Sequence, residues 1–220
     1  LPGMLTAKIQ HRINGLIPEK IHTVVTTAIK QMVRVVLFGA ELTTPVSSQD
    51  YSLQERENII RSKIDVYTKS AAAEGAVTGA GGILLALADF PLWLSLKMKM
   101  LFEIASWYGY DIREYSERIY ILHIFKLTFS SQQTRNITFS LMADWNNEKM
   151  KLPADIHQFD WRSLQQEYRD YIDLAKLIQL IPGVGAIAGA YVNHRLTLKL
   201  GKMAMNAYRL RLEADSKLQP

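Results

Sequence analysis

The sequence predicts an all-α fold, and three observations carry that expectation. Apolar residues recur at three- and four-residue steps along several stretches, the period of one helix face. No stretch sustains the apolar–polar alternation of a strand. Two apolar segments, around Gly75–Gly82 and Gly183–Gly189, carry glycines four residues apart, a spacing that lets helices approach backbone to backbone. The expectation is a single helical bundle with two glycine-rich apolar helical hairpins.

The elements follow in order. Residues 19–40 read as a helix, with Ile21, Val24, Val25, Ala28, Ile29, Met32, Val36 and Ala40 on one face and Pro18 where a helix start tolerates proline. A polar stretch, Thr43 to Asp50, breaks the pattern. Residues 1–50 are therefore assigned to an N-terminal helical segment packing on a main domain of residues 51–220. Ser52 and Glu55 have the spacing of a capping box, so a second helix starts there and is expected to run to about Ala73. An apolar helix is expected from Ile83 to about Tyr108. Pro91 should kink or break it, and Gly109 should stop it. Residues 112–128 and 131–145 read as two more helices. The polar segment from Asn146 to Asp160 reads as a loop, 161–178 as a helix, and the chain from the second glycine segment to about Leu212 as a last long helix.

Glycine inside a helix costs about 1 kcal/mol relative to alanine, so these clusters need a compensating gain. Close packing of Gly75 and Gly79 on one helix, and of Gly185 and Gly189 on another, supplies one. A phosphate-cradling loop fits less well, because Gly79-Ala80-Gly81-Gly82 lacks the Lys-Ser or Lys-Thr of a phosphate loop and no strand precedes it. The two segments also align without a gap: residues 79–105 and 181–207 match at seven of 27 positions, Lys97 falling on Lys199. An internal pseudo-repeat is one reading of that match, and shared composition is the other.

Composition bounds the chemistry. The 220 residues are 48% hydrophobic and 21% charged, enough for a substantial core. Without cysteine there is neither a disulfide framework nor a thiolate metal site. His11, His22, His123, His157 and His194 lack the three- to five-residue spacing of helical metal ligands, so no metal and no cofactor is expected. The net charge of +5 suits an anionic partner or serves solubility alone. Arg195, Lys199, Lys202, Arg209 and Arg211 are spread among apolar residues, which suits a lipid headgroup surface at least as well as a nucleic acid, and no nucleic-acid partner is expected. Neither Gly75–Ala88 nor Leu177–His194 is long and apolar enough for a good membrane span. Leu1-Pro2-Gly3-Met4 reads as the interior of a longer chain, with no signal-peptide pattern.

Candidate site residues come from polar groups set among apolar ones. Asp89 lies between Ala88 and Phe90 and needs a partner if buried. It reads either as the cap of a new helix starting near Phe90 or as part of a ligand pocket with Lys97, Asn193, His194 and Lys199. Asp111 could cap the helix that follows it. No Gly-x-Ser-x-Gly elbow occurs, and no catalytic residue can be named.

Three runs resemble motifs of one family. Gly79 through Pro91 resembles the glycine-rich core motif of the EcsC family, Ile104 through Asp111 resembles its "IA-x-x-YG-x-D" element, and Ile181 through Ala186 with Asn193 resembles its C-terminal segment. The order and spacing agree over roughly residues 52–212. The resemblance implies a bacterial, helical protein, cytoplasmic or peripheral to the inner face of the membrane. It also implies a link to ABC transport or secretion, since the family is named for a gene beside an ABC-transporter operon. It supplies no catalytic residues. Three functions stay open: a non-enzymatic accessory protein engaging an anionic membrane surface or a transporter subunit, a small-ligand or lipid binder or hydrolase-type enzyme with a pocket near Asp89, and a plain oligomerising module.

Overall fold

A computed structural model describes residues 19–38, 51–80, 82–153, 158 and 185–216, and every regular element among them is a helix. We number these α1 (Glu19–Phe38), α2 (Leu53–Ala80), α3 (Gly82–Trp107), α4 (Tyr115–Phe129), α5 (Gln132–Ala143), α6 (Trp145–Met150) and α7 (Gly185–Ser216). The helix expected over 161–178 and the residues 181–184 lie outside the described set.

Helix starts and stops follow local chemistry. At the head of α2 the Ser52 amide donates to Glu55 Oε2 at 2.8 Å and the Glu55 amide donates to Ser52 Oγ at 3.3 Å, a closed capping box. α2 does not end near Ala73. It runs through Gly75 and Gly79 to Ala80, because the glycine stretch packs instead of looping. α3 stays continuous through Pro91, so the expected break is absent. That continuity also overturns Asp89 as a cap: a residue inside a helix lacks the extended backbone of an N-cap. Gly109, at φ 90°, ends α3, with the Tyr110 amide donating to Ala105 O and the Gly109 amide to Ser106 O. Asp111 does not cap α4 either. It accepts from the Arg113 amide at 2.9 Å and closes the turn, while Glu114 holds the cap position. Ser131 caps α5. The expected loop from Asn146 begins instead with the short helix α6, anchored by the buried Trp145.

The frame is the antiparallel pair of α2 and α7. Three contacts mark it, and their order reverses between the helices: Gly75 with Gly189, Ile64 with Gly201, and Glu57 with Arg209. A Cβ on Gly75 would overlap the Gly189 carbonyl and stand 2.9 Å from Asn193 Cβ. A Cβ on Gly201 would stand 2.8 Å from Ile64 Cδ1. Small residues on both helices, Thr68, Ala71 and Gly75 on α2 and Gly189, Thr197 and Ala204 on α7, are all buried. The far end closes on charge. Arg209 donates to both oxygens of the buried Glu57 carboxylate, at 2.5 and 2.6 Å, and Tyr108 adds a third hydrogen bond at 3.0 Å. The Arg209 hydrogen bonds hold the Glu57 carboxyl below its ordinary range.

α4 is buried along nearly its whole length, against α1, α3, α5 and α7. Such a helix is usually apolar all round, yet α4 carries Glu117, Arg118, His123 and Lys126 inside. Glu117 accepts from Arg211 at 2.5 Å and from the Tyr208 hydroxyl at 2.6 Å. Burial pushes its carboxyl above the ordinary value, against the pull of Arg211 and Tyr208. The Arg211 guanidinium also lies 3.9 Å from the centre of the Tyr110 ring. Arg211 is thus core, and the basic residues of α7 do not form one exposed stripe. α1 joins the same core through Ala28, Ile29, Met32, Val33 and Val36.

Two outcomes follow. Gly75→Ala should lower stability in urea unfolding by about 1–3 kcal/mol through overpacking, although alanine favours a helix. An unchanged or raised midpoint would mean that the seam is loose. His123 is buried against Trp145, and burial pushes its imidazole down to about 3 from 6.5. Below pH 6.5 the unfolded chain takes a proton that the folded one refuses, so this stability is present above 6.5 and is lost as pH falls toward 3. Glu57 acts only lower, because its stabilisation is present above its ordinary 4.5 and is lost below it. Between pH 7 and pH 5 the wild type should therefore lose about 2 kcal/mol more stability than His123→Leu. Parallel pH profiles of the two proteins would exclude a buried neutral imidazole.

Candidate functional site

The glycine contact between α2 and α7 sets up a buried polar node beside it. Asn193 sits one turn after Gly189 on α7, and its side chain meets α3. Its Oδ1 accepts from Lys97 Nζ at 2.8 Å and from Trp93 Nε1 at 2.6 Å. Lys97 is fully buried, and its ammonium lies 4.6 Å from the centre of the Trp93 ring. Trp93 and Lys97 are four residues apart, so they share one face of α3. A buried ammonium needs acceptors, and the Asn193 carbonyl with the π face supplies part of that need. This arrangement fastens α3 to α7 and holds a cation within the core.

The sequence-derived site residues divide. Lys97 and Asn193 are brought together. His194 is exposed and lines a different groove, and Lys199 is exposed and donates to the Thr128 carbonyl at 2.8 Å, fixing α7 to α4. Those two therefore do not join Lys97 and Asn193 in one cluster. The Asp89 side chain lies outside the described residues. The alignment of Lys97 with Lys199 sets a buried ammonium against an exposed one. Trp93 was missed; its four-residue spacing from Lys97 was the available signal.

Two surface grooves accompany the node. One, of about 530 Å³ between α2 and α7, is lined by Arg61, Asp65, His194, Lys202 and Arg209 over Ile64 and Met205. Most of its charge is engaged: Arg61 and Arg209 bind Glu57, and Asp65 binds Lys69. The other, of about 320 Å³ between α1 and α3, is apolar over Met32, Val36, Leu94, Met98 and Phe102. Val35 and Leu92 stand exposed along it, at 45% and 62%. Lys99 lines it, Arg34 neighbours Val35 on α1, and both cations are exposed. Among the described residues no acidic one lines this groove.

The node is testable by coupling. Asn193→Leu removes the acceptor that Lys97 and Trp93 share and should cost about 2–4 kcal/mol in urea unfolding. In a Lys97→Met background the same substitution should cost at least 1 kcal/mol less. Additive costs would show that the two side chains are not coupled.

The family model described as the EcsC protein family matches residues 3–212. Protein EcsC of Bacillus subtilis (strain 168) is 46% identical over 206 residues, 93% of this chain and 84% of that protein. The uncharacterized protein YdbA of the same strain is 30% identical over 144 residues, 66% of this chain and 53% of that protein. No solved structure matches the chain significantly. The match runs through α1 to α7 and takes in Lys97, Asn193 and both glycine segments, and the chain belongs to the EcsC protein family.

Proposed function

We propose that this protein is a non-enzymatic accessory protein that binds the anionic surface of a membrane peripherally, through the face formed by α1 and α3. The observation that carries this reading is the pairing of exposed Val35 and Leu92 with the exposed cation Lys99 along one apolar groove, with the exposed Arg34 next to Val35 in the chain. Apolar side chains flanked by basic ones suit the boundary between headgroups and acyl chains. The net charge of +5 favours the same surface. Among the described residues no helix is long and apolar enough to cross a membrane, so contact from one side is the geometry they offer. A transporter subunit is the protein partner in keeping with a place in this family.

Flotation with vesicles tests the reading. Vesicles containing phosphatidylglycerol should carry the protein upward at low salt and release it as salt rises, because surface charges are screened beyond about 10 Å at 0.1 M. The Arg34→Glu/Lys99→Glu double variant should bind at least tenfold more weakly with an unchanged fold. Absence of binding at low salt, or equal binding to neutral phosphatidylcholine, would overturn the proposal.

A further inference from the structure

The groove between α1 and α3 has more shape than surface adhesion requires. It runs from Ala28 to Val36 on one helix and from Pro91 to Phe102 on the other, about 12 and 16 Å of helix axis. Its floor is aliphatic, sulfur-bearing and aromatic, and its polar groups, Gln31, Ser95 and Lys99, stand along it. At about 320 Å³ it lies at the lower end of small-ligand sites, far below what a docked helix would fill. With C–C bonds of about 1.5 Å, an extended chain of roughly ten carbons has its length.

We infer that this groove is a binding site for one single-chain anionic amphiphile, with the acyl chain along Met32, Val36, Leu94, Met98 and Phe102 and the headgroup beside Lys99. Burial of methylenes supplies the affinity, and the Lys99 ammonium in the lining selects an anionic headgroup. The inference extends the membrane reading, since both use the same face, but it holds for free amphiphile without a bilayer.

Titration of the full chain with decyl phosphate, below its micelle concentration, tests it by calorimetry and amide chemical shifts. Saturable one-to-one binding is expected, with shifts confined to α1 and α3. Octyl phosphate should bind more weakly, by roughly fourfold for each methylene buried, and decylamine should bind at least tenfold more weakly than decyl phosphate. Ser95→Trp places an indole in the groove from an exposed position. It should abolish decyl phosphate binding while leaving flotation with anionic vesicles intact. If decyl phosphate binds and vesicles do not, the amphiphile site stands and the membrane proposal falls. Absence of saturable binding, affinity independent of chain length, or shifts centred on α2 and α7 would each overturn the amphiphile site. Should Ser95→Trp unfold, the chain-length series and the shift map on the wild type decide the question alone.

Discussion

The rest of the structure depends on the closeness of α2 and α7 where Gly75 meets Gly189. With no side chain on either residue, one backbone rests on the other, and the next turn of α7 delivers Asn193 toward α3. Any larger residue at Gly75 would press on the Gly189 carbonyl and on the Asn193 Cβ, from which the hydrogen bonds to Lys97 and Trp93 are held. The seam then runs down small side chains to the Glu57–Arg209 clamp, which fixes the register from the other end. Glycine weakens each helix locally, and the packing it allows offsets that loss.

A second constraint is the charge that the core encloses. Lys97, Glu117 and Arg211 are buried, and each is held by partners from another helix. Placing an ion pair inside costs much of what its attraction returns, whereas removing one partner costs about 3–5 kcal/mol. These groups therefore contribute less to total stability than to the choice of one arrangement: Glu117 selects Arg211 and Tyr208 on α7, and Lys97 selects Asn193. The apolar groove proposed as a membrane and amphiphile site is built from other helices, α1 and α3, which leaves its surface side chains open to change without disturbing the α2–α7 seam.

Much of the fold was legible in local residues. The Ser52–Glu55 box and the Gly109 stop act within a few residues, and both stand where the pattern put them. The glycine spacing pointed to close helix approach, which Gly75 and Gly189 show, while Gly79 and Gly185 lie outside the described contacts. What failed depends on distant partners. Pro91 lies within a helix whose packing on α1, α2 and α7 keeps it continuous. The partners of Glu117 on α4, Tyr208 and Arg211, lie more than 90 residues away in the chain, and only the fold brings them to it. Among the candidate residues Lys97 and Asn193 were legible as polar groups near the two glycine segments. His194 and Lys199 were not separable from Asn193 without knowing the rotation of α7 about its axis.

The most direct measurement is a through-space proton contact. With Gly75 and Asn193 assigned, a nuclear Overhauser experiment should show a strong cross-peak between the Gly75 Hα protons and the Asn193 Hβ protons. Both resonances visible and no cross-peak between them would contradict the backbone contact on which the account is built.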